Sequence, residues 1–207
     1  MNKINEVNMK KTSVISLIFC LTILGVESLP IQAQNRLVCK RGAFVNPARE
    51  SKKIRNPDFG FVFDIPANYT SETSRSDNIT HVLLYNPNEQ ELNACCKKYR
   101  QIGCDGYPSL VSVSIEQAKS DTRLLPELSR ADERLENIKP TTIANQKAVV
   151  YVKKSTTNGV NTFLTASFIA PNTKYKITVV AFSYKDTINP IDERVFQRVI
   201  SSFAFVK

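Results

Sequence analysis

The chain has no tryptophan, one histidine (His81) and only 6 glycines in 207 residues. A single imidazole excludes a metal centre built on several histidines. The sparse glycines leave no phosphate-cradling loop and no Gly-x-Ser-x-Gly nucleophile elbow. None of the 5 cysteines forms a Cys-x-x-Cys pair, so the spacing used by zinc knuckles and thiol redox motifs is missing. Internal repeats and low-complexity tracts are also lacking, which excludes solenoids and arrays. No apolar run reaches the roughly 20 residues of a comfortable membrane span.

What is present begins with an export pattern. Lys3, Lys10 and Lys11 precede an uncharged apolar run from Val14 to Val26, and Glu27, Ser28, Pro30 and Ala33 follow. A positive region, a short apolar core and a polar exit with a small residue predict a secretory signal peptide over residues 1–34. Cys20 fails as a lipid-attachment cysteine because bulky Phe19 stands where a small residue is needed. Beyond residue 34 the net charge is about +8, against +9 for the whole chain. Such a charge suits an acidic protein face, an anionic membrane surface or an acidic polymer. Export argues against nucleic acid.

Four cysteines remain after the signal: Cys39, Cys95, Cys96 and Cys104. An even number in an oxidising compartment predicts disulfides. A bond between the neighbours Cys95 and Cys96 is strained, which leaves Cys39 bonded to Cys95 or to Cys96 and the other closing the loop to Cys104. The first bridge would staple the N-terminal segment to the body. A zinc site from these thiols is the competing arrangement.

Residues 35–58 are polar and basic and predict an extended, irregular lead-in. A single domain is expected over 59–207. Its strands follow from period-two alternation: Phe59 to Pro66, His81 to Asn86, Leu110 to Ile115, Lys147 to Lys154, Val160 to Ala170 and Lys174 to Tyr184. The last three form a meander through the turns Thr157-Asn158-Gly159 and Pro171-Asn172-Thr173. Residues 68–80 read as a turn-rich loop, and 86–106 as a polar insertion holding the cysteine cluster. From Asp121 the period becomes helical: Leu124, Leu125, Leu128, Ala131, Leu135 and Ile138 share a face, and Pro140 ends it. The carboxylates Glu127, Asp132, Glu133 and Glu136 fall on its solvated side. Asn189 and Pro190 mark a second helix, carrying Ile191, Val195, Phe196, Val199 and Ile200. The expected fold is α+β: an antiparallel β-sheet with helices packed on both faces, an α/β/α sandwich.

The aromatic strand Phe59-Gly60-Phe61-Val62-Phe63-Asp64-Ile65-Pro66, the serine-valine strand Leu110 to Ile115, the strand Tyr175-Lys176-Ile177-Thr178-Val179-Val180-Ala181 and the closing helix into Phe203-Ala204-Phe205 follow an export signal in this order. The arrangement is similar to PsbP-like domains, the extrinsic proteins of photosystem II and their relatives, which share a fold with the MOG-type Ran-binding protein. The pattern departs at Asn68-Tyr69, where PsbP-like chains usually carry a tryptophan, and in the cysteine cluster. The resemblance implies a non-enzymatic module in the periplasm or thylakoid lumen. It would be monomeric and peripheral to the membrane at most. Its partner would be a membrane protein complex, photosystem II among the candidates, or another protein.

Two basic stretches are the candidate partner-binding loops: Lys52, Lys53 and Arg55, and Lys97, Lys98 and Arg100. No catalytic residue, metal ligand or cofactor is indicated. The alternative is a small exported enzyme. A hydrolase would have to recruit His81, and a thiol oxidoreductase would have to use Cys95 and Cys96.

Overall fold

The computed structural model describes residues 39–40, 42–100, 110–156, 159–172 and 174–206. The predicted signal peptide and Cys104 lie outside these residues. The chain divides into two units, Met1–Arg36 and Leu37–Lys207, and every described residue belongs to the second.

The described residues form ten strands and two helices: β1 Ser51–Asn56, β2 Phe61–Pro66, β3 Thr70–Ser76, β4 Ile79–Tyr85, α1 Pro87–Tyr99, β5 Val111–Gln117, β6 Arg134–Ile143, β7 Gln146–Ser155, β8 Asn161–Ile169, β9 Tyr175–Ser183, α2 Pro190–Ser202 and β10 Ala204–Phe205. The larger sheet has seven strands in the order β3-β4-β5-β9-β8-β7-β6, and a three-stranded sheet runs β1-β2-β10. All pairings are antiparallel. The fold class is therefore α+β, with antiparallel sheets and two helices.

Register explains which residues form the core. Val82, Val113, Val179 and Ala166 stand opposite one another across β4, β5, β9 and β8, and all are essentially inaccessible. α2 packs across β9, β5 and β2, burying Val195, Phe196 and Val199. Phe61, Phe63 and Ile65 of β2 come from the alternation of the aromatic strand and are wholly buried. Phe203, just after α2, has its ring centroid 5.0 Å from Phe61, 5.7 Å from Phe63 and 5.1 Å from Phe168. That one ring ties the helix end to both sheets.

The meander β7-β8-β9 and the Asn189-capped helix agree with the sequence reading. Four elements differ from it. Residues 51–56 are a strand rather than part of an irregular lead-in: Ile54 faces Phe63 across the β1–β2 ladder, and this pairing captures an otherwise polar stretch. Thr70–Ser76 is an edge strand rather than a loop, closed onto β4 by Asp77 and Asn78 with φ of 49° and 66°, the signature of a type I′ hairpin turn.

Residues 87–99, expected to be irregular, form α1. The helix expected over 121–138 does not form. Residues 118–133 are irregular, and β6 begins at Arg134. Pro126 and Pro140 account for this, since neither continues a helix while an edge strand tolerates the latter. A bulge between Glu136 and Lys139, with Asn137 at φ 53°, bends that edge.

Candidate functional site

The N-terminal strap, Gly42 to Glu50, is held against α1 and α2 by side chains reaching for its backbone. Asn86 is the centre of this arrangement. Its amide nitrogen donates to Val45 O and to the Tyr69 hydroxyl, each at 2.8 Å. Its Oδ1 accepts from Val45 N and from Asn88 N. The Glu89 carboxylate reaches back to the Asn86 N–H at 3.2 Å and completes a capping box. A single asparagine thus starts α1 and pins the strap. Asn68 Oδ1 accepts from Ala48 N, Asn88 Nδ2 donates to Gly42 O, and Arg198 donates to Ala48 O.

Replacing Asn86 removes a cap and strands several buried polar groups. Asn86→Ala is expected to cost about 2 kcal/mol, and denaturant midpoints measure it. Chymotryptic cleavage at Phe44 should rise in parallel.

Beneath the strap lies Tyr69, 1% exposed, with buried Asn86, Glu89 and Asp192 around it. Burial pushes its phenol up to about 12; the Asn86 hydrogen bond works downward, and the Asp192 and Glu89 carboxylates add upward. Because the folded-state value lies above the unfolded one, the unfolded chain releases the proton first. Stability from this group is complete below about pH 10 and is lost between about 10 and 12. Wild type should therefore lose more stability than Tyr69→Phe across that window. Parallel slopes for the two proteins would contradict the buried-phenol account.

The disulfide connects Cys39 to Cys95, with Cα atoms 5.7 Å apart and a sequence separation of 56. Of the two partners expected for Cys39, it is Cys95. Cys96 is also in disulfide linkage. With these thiols oxidised, the competing zinc site from Cys39, Cys95 and Cys96 is overturned. Leu92, Cys96 and Cys39 make a small apolar cluster that seats α1 on the strap.

The candidate partner-binding residues are not on loops. Lys52, Lys53 and Arg55 are exposed on β1, where Lys53 pairs with Asp64 at 3.0 Å. Lys97 and Lys98 occupy the last turn of α1, and Arg100 is its C-cap at φ 46°. All of these cations are exposed. β1 pairs with β2 whereas α1 packs beside β4, so the two stretches belong to different elements.

The remaining sequence candidates have structural roles. His81 Nδ1 lies 2.9 Å from Ser114 Oγ, in a row with Thr178 and Ser167 on the sheet face away from α2. A cleft of about 670 Å³ opens between α2 and β6–β7, floored by Val150, Val152 and Leu164 and edged by Lys139, Glu193 and Gln197. It lies on the α2 side, so His81 does not reach it. Glu127 pairs with Arg123, Glu133 with Lys153, and Glu136 with Arg134 and Lys154. Asp132 accepts from Ser155 Oγ and Thr156 N.

No family model matches the chain, and no curated protein matches it. A solved structure does. The chain is similar to the solution structure of cyanobacterial PsbP (CyanoP) from Synechocystis sp. PCC 6803, at 16% identity and a TM-score of 0.45. The likeness covers 79% of this chain and 95% of that one. The α+β architecture rests on the registers described above. Among the described residues no helix is long and apolar enough to cross a membrane.

Proposed function

We propose that the protein is an exported, non-enzymatic binding module of the PsbP-like kind that attaches by electrostatics to an acidic face of a membrane protein complex or another protein. The observation that carries this reading is the display of cations on rigid elements, Lys52 and Arg55 on β1 and Lys97, Lys98 and Arg100 at the end of α1. Basic side chains held on a strand and a helix steer association with an anionic partner and make it sensitive to ionic strength. Export is supported by the Cys39–Cys95 disulfide, since such bonds persist in oxidising compartments. The compartment is the periplasm or the thylakoid lumen, and the protein works as a monomer. Photosystem II is the specific partner that the sequence resemblance names.

The test is a pull-down of the protein from solubilised membranes of its own host at low and at high salt. Recovery of a membrane complex that falls steeply with salt, and falls again in Lys52→Gln/Arg55→Gln, supports the reading. Recovery that is indifferent to salt and to these substitutions overturns it.

A further inference from the structure

The last turn of α1 combines two features that its role in the fold does not require. The buried apolar side chains of the helix are Leu92 and Cys96, clustered with Cys39. The next four residues, Lys97, Lys98, Tyr99 and Arg100, are all exposed, and Tyr99 is 53% exposed. Lysines in a final turn complement the helix dipole. That explains Lys97 and Lys98, but neither an aromatic ring left in solvent nor a further cation at the left-handed cap. The Lys98 ammonium lies 5.3 Å from the centroid of the Tyr99 ring. Cations and ring therefore occupy one small patch. An acidic protein face needs only the cations. A lipid surface uses both, because a tyrosine ring sits at the headgroup boundary while lysine and arginine stems extend toward the phosphates.

We propose that Lys97, Lys98, Tyr99 and Arg100 form a docking point for the anionic phospholipid headgroups of a membrane surface. Of the two sets of cations named above, it assigns the α1 end to lipid and leaves those of β1 to the protein contact, and it holds the module at the bilayer surface next to whatever complex it serves. Each cation near an anionic leaflet contributes about 1 kcal/mol, a factor of about five in partitioning. The patch is thus worth roughly a hundred-fold.

Since the chain has no tryptophan, Tyr99→Trp gives the exported protein a single reporter. With vesicles of phosphatidylglycerol and phosphatidylcholine, its emission should shift to the blue, whereas vesicles of phosphatidylcholine alone should leave it unchanged. In sedimentation with the same vesicles, Lys97→Gln/Lys98→Gln/Arg100→Gln should weaken binding roughly a hundred-fold. The control Lys119→Gln/Lys147→Gln/Lys174→Gln removes equal charge from other exposed positions and should weaken it far less. Absence of a shift on anionic vesicles, or equal losses in the two triple variants, overturns the proposal. So does binding to host membranes that protease pretreatment abolishes while pure lipid is ignored, which would assign the patch to a protein. Vesicles contain no protein, so failure here leaves the pull-down result standing by itself.

Discussion

Phe203→Ala is expected to destabilise the protein by about 3–5 kcal/mol, the range for removing a fully packed aromatic ring. The ring is 4% exposed and contacts Phe61, Phe63, Phe168 and Phe205, with centroids 5.0, 5.7, 5.1 and 5.7 Å away. Phe61 and Phe63 belong to the small sheet and Phe168 to the large one. The cavity would open where the two sheets and the end of α2 meet, and these elements cannot all close on it together. Thermal or urea unfolding measures the loss. Phe205→Ala, at a half-buried residue of the terminal strand, should cost distinctly less. Equal costs would mean that Phe203 does not join the two sheets.

The second large effect concerns the staple. Joining Cys39 to Cys95 restricts an unfolded loop spanning 56 residues of separation, which corresponds to roughly 4 kcal/mol in the chain-entropy treatment. Cys39→Ser/Cys95→Ser should lose about that amount. The loss should also be uneven. The strap from Gly42 to Glu50 keeps its hydrogen bonds to Asn86, Asn88, Asn68 and Arg198, but their partners are no longer tethered. Hydrogen exchange at Val45 and Ala48 should accelerate well beyond that of Val113 or Val179, which lie within the buried sheet. Uniform acceleration would show that the disulfide acts on global stability alone.

How much of this was legible in the sequence depended on whether a segment signals its own structure. Both helices begin with Asn-Pro. Asn189-Pro190 was readable because Val195, Phe196 and Val199 follow at helical spacing and are buried. Asn86-Pro87-Asn88-Glu89 carries an even fuller start signal, with a glutamate at the capping-box position. Periodicity does not extend it, because the helix behind it buries only Leu92 and Cys96 among apolar residues and lacks a clear stripe. A weak stripe hides a helix whose seat is a disulfide rather than a sheet.

The converse holds at 121–138, where six apolar residues fall at helical intervals by coincidence. Leu135 in fact pairs with Lys153 along β6. Period cannot detect a prolyl interruption followed by an edge strand. β3 was invisible for another reason: its sequence, TSETSRS, is polar throughout, and only the Asp77-Asn78 turn and the β4 ladder make it a strand. For the candidate site, the sequence shows the cations by position. It did not reveal that they stand on a strand and a helix end, nor that Asn86 joins the strap to α1, since that contact spans 41 residues and leaves no local trace.

The most direct test of an exported, stapled module is non-reducing peptide mapping of the protein recovered from its own host. The account predicts a peptide containing Cys39 covalently linked to the one containing Cys95, with Cys96 also oxidised. Recovery of Cys39 and Cys95 as free thiols from freshly alkylated material would contradict it, removing both the staple and the oxidising compartment on which the proposed function rests.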